Sequence, residues 1–271
     1  MNAVSLGPFA FDAERFAAII GMVAFLAVAS VLAYRVDDRL GRWSSWTAAV
    51  GLAAARLGHV LQHAGSFASE PWRILSVWQG GFSWSGGAAG VAVMLVVLFL
   101  RSRKLVGWAA ASVAAGAVAT TATLAFTYSD TQLPAVTSTF RTLDGTESRI
   151  GDNGRPTVLN LWATWCPPCR RELPMMAELA ASTADVDFVF ANQGEPSAKI
   201  ADYLRSENLN LAQALLDPQL LLSRHYSAVG LPATLFLAAD GTLAGSHLGE
   251  ISREVLAQKI QELKSEEGIS E

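Results

Sequence analysis

The sequence predicts two domains of different class, an all-α transmembrane domain of four helices over residues 1–128 and an α/β domain with a mixed sheet over residues 129–271. Of the 271 residues, 51% are hydrophobic and only 16% are charged, and charged residues are scarce before residue 128. The second part has the charge and turn density of a soluble domain, and apolar strands alternate there with helical segments. This change of composition is typical of a membrane domain joined to a soluble α/β domain.

Four apolar segments are long enough to cross a bilayer as helices. The first runs for nineteen residues without a charge, from Phe16 to Tyr34. Its length and the acidic residues before it, Asp12 and Glu14, favour a retained helix over a cleaved signal peptide. The second segment is interrupted by polar side chains, and the last two lack charge throughout. The predicted spans are residues 16–34, 43–64, 82–100 and 105–126.

Basic residues in the connecting loops orient these spans. The first loop, residues 35–42, carries three arginines, and the third, residues 101–104, carries three basic residues in four. The loop between them has one basic residue, Arg73. We therefore expect both basic loops in the cytoplasm and the second domain on the outer side. In a bacterium this predicts a multi-pass protein of the inner (cytoplasmic) membrane with its second domain in the periplasm.

The second predicted span carries a polar face formed by Arg56, His59 and His63. Their spacing places them on one side of a helix. One interpretation is a satisfied stripe that faces the interior of the helix bundle. The other is a binding site for a lipid headgroup or a protein partner. We predict no metal site, because the two histidines have no further ligand at suitable spacing.

Cys166 and Cys169 are the only cysteines of the chain, and they lie between an apolar run at residues 158–162 and a helical segment at residues 170–180. A Cys-x-x-Cys between a strand and a helix indicates redox chemistry, because the helix start favours a thiolate and the two thiols can exchange with a disulfide. A structural disulfide here would close almost no loop, a zinc site would need more ligands, and inert core cysteines would not explain the two prolines between them. We predict no cofactor beyond a redox-active disulfide Cys166–Cys169.

Residues 165–174 read Trp-Cys-Pro-Pro-Cys-Arg-Arg-Glu-Leu-Pro. This motif resembles the membrane-tethered TlpA/ResA branch of the thioredoxin-like proteins, and the resemblance extends from about Leu133 to Leu263. A second element of that family, Gly-Leu-Pro-Ala-Thr at residues 230–234, precedes an apolar strand. The resemblance implies a thioredoxin-like fold, a thiol-disulfide oxidoreductase, and a cis proline at Pro232 that faces the disulfide.

The same resemblance assigns roles to the motif. We expect Cys166, at the exposed end, to attack the substrate, and Cys169 to resolve the mixed disulfide. Pro232 should shape a substrate groove and leave the backbone of Leu231 free to pair with a bound peptide. Trp165 is either a wall of this groove or a packing residue.

A proton-transfer group is expected near the resolving cysteine. Glu172 matches a carboxylate that the family keeps there, so it could take or give a proton during exchange. The alternative is an ordinary helix surface residue. Asn160 stands where thioredoxins proper have a buried acid, and because an amide cannot act as a base, this substitution moves any proton-transfer role towards Glu172.

The membrane half carries a second resemblance. Residues 55–61 and 77–90 look like the front part of prolipoprotein diacylglyceryl transferase, over roughly residues 15–125. That enzyme has a functional histidine just before the glycine pair matching Gly86 and Gly87, whereas Ser85 stands here. Its later signature, rich in arginine, asparagine and glutamate, is absent. The resemblance therefore implies an inherited fold without the transfer chemistry.

Together these features favour a membrane-anchored periplasmic thiol-disulfide oxidoreductase, acting as a reductase because Pro167 and Pro168 offer no N–H to stabilise a thiolate. The expected partners are periplasmic protein thiols and disulfides, membrane lipids, and a separate membrane electron donor with paired cysteines. The net charge of −4 gives no reason to expect nucleic acid. The alternatives are a lipid-modifying transferase of the prolipoprotein type or a non-catalytic membrane tether.

Overall fold

The computed structural model describes residues 3–6, 9–69, 71–76, 80–127, 133–134, 136–266 and 268. By its internal contacts the chain divides into two compact units, Ala13–Ser129 and a second formed by Met1–Asp12 with Asp130–Glu271. We call these the helical unit and the sheet unit. The predicted domain boundary between residues 128 and 129 lies outside the described residues.

The helical unit is an antiparallel arrangement of long helices. Helix α1 packs against α5, α2 packs against α4, and α1 also contacts α2. Short 3-10 turns precede α4 and α5, at Pro71–Leu75 and Arg103–Leu105. The helices are α1 (Ala13–Arg35), α2 (Arg39–Gln62), α3 (Ala64–Ser69), α4 (Trp84–Arg101) and α5 (Val106–Thr127).

Among the described residues, three helical segments are long and apolar enough to cross a membrane, Ala13–Arg35, Trp84–Arg101 and Arg103–Thr127. They correspond to the first, third and fourth predicted spans. Helix α2 has 24 residues but a more polar composition. Apolar side chains on α1 and α4, such as Val23 and Val96, are more than half exposed, as expected for helices that contact lipid.

Small residues allow the helix pairs to approach closely. A Cβ added to Gly116 of α5 would lie 2.9 Å from the carbonyl oxygen of Gly21 in α1. A Cβ added to Gly86 of α4 would lie 2.6 Å from the carbonyl oxygen of Ala54 in α2. Close backbone contact of this kind is how membrane helices pack without a hydrophobic driving force between them.

The sheet unit contains a seven-stranded mixed sheet in the order β4-β3-β7-β6-β5-β8-β9. Strands β5, β6 and β7 are parallel, whereas β8 and β9 on one side and β3 and β4 on the other pair antiparallel. A separate hairpin is formed by β1 (Ala3–Leu6) and β2 (Phe9–Asp12). The sheet strands are β3 (Phe140–Thr142), β4 (Glu147–Ser148), β5 (Thr157–Trp162), β6 (Asp187–Gln193), β7 (Ala214–Asp217), β8 (Ala233–Leu237) and β9 (Leu243–Leu248).

Two apolar cores cover the two faces of this sheet. Val158 and Trp162 of β5 belong to one core, and Leu159 and Leu161 belong to the other, because successive strand residues point to opposite faces. Both faces of β5 are therefore buried, which explains its continuous apolar sequence. The helices are α6 (Pro167–Ser182), α7 (Ser197–Ser206), α8 (Leu221–His225) and α9 (Arg253–Glu266). This confirms the predicted α/β class with a mixed, thioredoxin-like sheet.

Candidate active site

The two cysteines form a disulfide at the start of α6, directly after β5. Cys166 has an extended backbone and is the cap residue of the helix, and its Sγ accepts a hydrogen bond from the N–H of Cys169 at 3.3 Å. Pro167 and Pro168 occupy the first helical positions, where a proline ring fits and no N–H is required. The strand–motif–helix order expected from the sequence is thus confirmed.

Both cysteines are buried, Cys166 to 2% exposure and Cys169 to 0%. The expectation that Cys166 lies exposed was wrong, because its side chain joins the apolar core that also contains Trp162, Leu173 and Met176. The exposed residue of the motif is Trp165, at 63%. Its exposure excludes the packing alternative and leaves it at the surface beside the disulfide.

Glu172 lies one helical turn beyond Cys169 and is only 2% exposed. Its two carboxylate oxygens accept hydrogen bonds from the Asn160 side-chain amide at 2.9 Å and from the Ile251 N–H at 3.0 Å. Burial raises the pKa of Glu172 to about 8, although these two hydrogen bonds act in the opposite direction. The alternative of an ordinary surface residue is therefore wrong, because Glu172 is a buried acid with a raised pKa.

Asn160 connects this acid to the neighbouring strand. It is fully buried on β5 and lies opposite Thr234 of β8 in the antiparallel register. Its amide nitrogen also donates to the Thr234 hydroxyl at 3.3 Å, while its Oδ1 atom is buried without a hydrogen-bond partner among the described residues. The strand pairing thus brings Asn160 and Thr234 together across 74 positions, and α6 adds Glu172 to them.

The second family element lies immediately before β8. The Leu231–Pro232 peptide bond is cis, as expected. Pro232 is buried, and its carbonyl accepts a hydrogen bond from the Gly249 N–H at 2.8 Å. Leu231 is half-buried against the core that contains both cysteines, and within the described residues it makes no hydrogen bond. A backbone without such bonds is what pairing with a peptide requires, and that role of Leu231 stays a prediction.

Glu195, which the sequence analysis did not single out, holds the loop in front of Cys166. Its carboxylate accepts bonds from both the N–H and the hydroxyl of Thr164, each at 2.6 Å, and from Asn192 at 2.9 Å. Lys199 forms an ion pair with it at 2.7 Å. Burial alone would raise the pKa of Glu195, but these donors outweigh it and lower the pKa to about 2. The only sequence signal is the four-residue spacing to Lys199 at the start of α7.

The Glu195→Gln change should loosen this loop. The folded pKa lies below the unfolded value of about 4.3, so the carboxylate stabilises the fold above that pH and loses its effect as the pH falls towards 2. The difference between the folded and unfolded pKa corresponds to roughly 3 kcal/mol of stability at pH 7. We expect amide hydrogen exchange in residues 163–166 of the full-length protein to accelerate on the order of 100-fold. Glu207→Gln, which removes an exposed partner of Arg170, should leave it unchanged; equal effects would contradict the assignment.

The polar face of α2 is occupied by the protein's own backbone. The buried guanidinium of Arg56 donates to the carbonyl oxygens of Arg73, Ile74, Ser76, Gly80 and Gly81, at 2.7–3.4 Å. The rings of His59 and His63 lie with their centroids 4.5 Å apart and their planes tilted by 39°. Among the described residues, no three His, Cys, Asp or Glu side chains are grouped to hold a metal ion. These contacts fix the connection between α3 and α4. Of the segment 77–90, which resembles the transferase, residues 77–79 lie outside the described residues.

Two family models and several known proteins are similar to parts of this chain. Residues 2–125 match the sequence model of the family described as prolipoprotein diacylglyceryl transferase, and residues 129–263 match that described as redoxin. The thiol-disulfide oxidoreductase ResA of Geobacillus thermodenitrificans is 30% identical over 125 residues, which cover 45% of this chain and 71% of that protein. The thiol:disulfide interchange protein DsbE of Escherichia coli K12 is 30% identical over 41% of this chain and 58% of its own length. The structure of StoA from Bacillus subtilis aligns with a TM-score of 0.42 and 25% identity, over 46% of this chain and 98% of that one.

The two matched regions follow one another along the chain, as the two resemblances predicted. The redoxin match contains the disulfide, Glu172 and the cis proline. Two of the relatives found, ResA and a sporulation protein of Bacillus subtilis, are named thiol-disulfide oxidoreductases. With its sheet unit, this chain belongs to the ResA family of thioredoxin-like thiol-disulfide oxidoreductases, and in this chain that domain follows a region that matches the prolipoprotein diacylglyceryl transferase model.

Proposed function

We propose that this protein is a membrane-anchored disulfide reductase whose Cys166–Cys169 couple acts outside the cytoplasm. The observation that carries the proposal is the buried acid Glu172, one turn beyond Cys169 in a helix capped by Cys166. In the reduced protein, the Cys166 thiolate attacks a client disulfide and releases one client thiolate. Cys169 then loses its proton, attacks the Cys166 sulfur and releases the second client thiolate. The client gains two electrons, and the protein returns to the disulfide.

Glu172 supports this sequence of steps through its position. The resolving thiol must lose a proton in the interior, where water has little access, because Cys169 is fully buried. A carboxyl group with a pKa of about 8 is partly ionised at neutral pH and can accept that proton. In the reverse reaction, the protonated acid returns the proton to Cys169.

The reductase direction rests on the surroundings of Cys166. Because Pro167 and Pro168 lack an N–H, the thiolate is left chiefly with the hydrogen bond from Cys169. The two nearest cations are engaged elsewhere, Arg170 with Glu207 and Arg171 with Glu250. A weakly stabilised thiolate has a pKa near the ordinary value of about 8.5 and belongs to a reducing couple.

The helical unit supports an anchoring role. We propose four spans, with α2 as the least apolar, and the basic loops at residues 35–42 and 101–104 in the cytoplasm. This places domains 1–128 and 129–271 in the inner membrane and the periplasm, respectively. The sequence has no third cysteine, so electrons must come from a separate membrane protein with paired cysteines. Clients would be periplasmic protein disulfides, including the disulfide that the haem-binding thiols of an apocytochrome form when oxidised.

The other two functions have weaker support. Prolipoprotein diacylglyceryl transfer is disfavoured because Ser85 replaces the functional histidine, and its hydroxyl instead contacts that of Ser83 at 2.9 Å. The polar face of α2 is used to hold backbone carbonyls, which favours its structural interpretation over a partner site. A non-catalytic tether does not explain a buried acid beside the disulfide.

One labelling experiment tests location and direction together, because Cys166 and Cys169 are the only thiols. In growing bacteria, a small membrane-impermeant methanethiosulfonate should label the full-length protein without added reductant, because its donor keeps a reductase reduced. A protein in which both cysteines are replaced by serine is the control. Labelling only after cell lysis would place the domain inside, and labelling only after external reduction would indicate an oxidase.

A further inference from the structure

A cavity of about 380 Å³ lies at the end of the helical unit where α1 passes into α2 and α4 passes into α5. One wall comes from Val36, Asp37 and Arg39, and the other from the 3-10 turn Arg103–Leu105 together with Trp108. Leu105 is buried and gives the cavity an apolar side. Its volume falls within the roughly 300–1,000 Å³ of sites that hold small ligands.

The charge of this cavity is unbalanced. Arg39, Arg103 and Lys104 line it together with a single carboxylate, Asp37. Asp37 accepts a hydrogen bond from the Arg39 backbone N–H at 2.9 Å and so serves as a local turn contact. Among the described residues, no carboxylate forms an ion pair with the side chains of these three cations. Two loops that are 64 positions apart, at Arg39 and Arg103, thus present three cations to one space.

The cavity lies where the predicted membrane-spanning helices end. Helices α1 and α4 end just before it, at Arg35 and Arg101, and α5 begins beside it. Trp108 in its wall is 47% exposed, and the Arg103 guanidinium lies 4.9 Å from the ring centroid of Phe99. Aromatic and basic side chains concentrate at the level of the phospholipid headgroups, where basic clefts between helices bind anionic lipids.

We propose that this basic cavity binds the phosphate-bearing headgroup of an anionic phospholipid. The three cations would contact the phosphodiester, while Trp108 and Leu105 would contact the adjoining glycerol and acyl carbons. Arg56 offers no comparable site, because its guanidinium donates to five backbone carbonyl oxygens. The inference rests on the proposed membrane insertion of the helical unit, but not on the redox chemistry or on which side the loops face.

The test uses full-length protein in nanodiscs, in which both leaflets have the same composition. The cavity variant carries Arg39→Gln, Arg103→Gln and Lys104→Gln. Its matched control carries Arg35→Gln, Arg42→Gln and Arg101→Gln, which remove the same charge from the same loops outside the cavity. Native mass spectrometry measures phosphatidylglycerol binding to each protein against a phosphatidylcholine background. Since one cation near an anionic surface contributes about fivefold, we expect the cavity variant to bind phosphatidylglycerol on the order of 100-fold more weakly and the control nearly as wild type.

Several outcomes would overturn the proposal. Equal weakening in both variants would mean that general surface charge attracts the lipid. Equal binding of phosphatidylglycerol and phosphatidylcholine would mean no anion selectivity, and displacement by soluble glycerol phosphate would indicate a site for a free anion. If the triple variant unfolds, the single change Lys104→Gln, at an exposed side chain, should still weaken binding about fivefold. Failure of the wild-type protein to insert into nanodiscs would overturn the membrane proposal itself, and disulfide reduction would remain as a separate assay.

Discussion

Replacing Cys169 with serine should trap the protein in a mixed disulfide with its clients, whereas replacing Cys166 should abolish thiol-disulfide exchange. Cys166 caps the helix and keeps 2% exposure against 0% for Cys169, so we expect a client disulfide to meet the Cys166 sulfur first. Without Cys169, the mixed disulfide on Cys166 has no resolving thiol and accumulates. Without Cys166, Cys169 is fully buried and cannot reach a client. We expect disulfide reduction by Cys166→Ser to fall to the rate without protein.

The two variants control for each other. Both lose the same disulfide, which closes a very short loop and therefore adds little stability. Any difference between them reports on the roles of the two sulfurs and not on folding. The measurement is non-reducing electrophoresis of full-length protein after acid quenching, followed by identification of the trapped clients. Equal trapping of clients by both variants would contradict the assignment of distinct roles. Trapping by Cys166→Ser alone would reverse the two roles.

The Glu172→Gln change should slow resolution of the mixed disulfide and also increase the stability of the fold. Proton transfer by a positioned side chain contributes roughly 10²–10⁴-fold, so resolution of the mixed disulfide should slow on the order of 100-fold at pH 7. In the wild type this step should accelerate as the pH rises through about 8 and more carboxylate is ionised. The glutamine variant should lose this dependence. Stopped-flow measurement of the two exchange steps at several pH values separates resolution from the initial attack by Cys166, which should change little.

Stability should move in the opposite direction. The folded pKa of Glu172 lies above its unfolded value of about 4.3. Below that pH the acid is protonated in both states and costs no stability, whereas the free energy of unfolding falls increasingly as the pH rises towards 8. By pH 7 this loss amounts to roughly 3 kcal/mol, which a neutral glutamine avoids. Denaturant titrations at pH 4 and pH 7 should show the variant gaining only at the higher pH. Glu178→Gln on the same helix removes an exposed partner of Arg253 and should change neither stability nor rate; a rate loss there would point to helix damage.

Local features of the active site could be predicted from the sequence. The spacing of Cys166 and Cys169, the prolines between them and the apolar run before them act within one strand and one helical turn. Their consequences are therefore contained in about a dozen consecutive residues. The same holds for the charge-free segments, because a bilayer requires only length and apolarity. The cysteines, their order and the thioredoxin-like class of the second domain needed no tertiary contacts.

The tertiary structure decided which polar residues are buried and what they contact. Glu172 could have been an ordinary helix residue; it is an acid with a raised pKa because the folded domain buries it, although its hydrogen bonds from Asn160 and from the Ile251 N–H, 79 positions away, act in the opposite direction. Glu195 holds Thr164 across 31 positions because β5 and β6 lie side by side in the sheet. Burial and charge pairing depend on which strands and helices pack together, and the spacing of side chains along the sequence does not predict those tertiary contacts. The sequence therefore determined where the two sulfur atoms lie along the chain, and the packing of β5, α6 and the turn after β9 decided which acid is buried one helical turn from them.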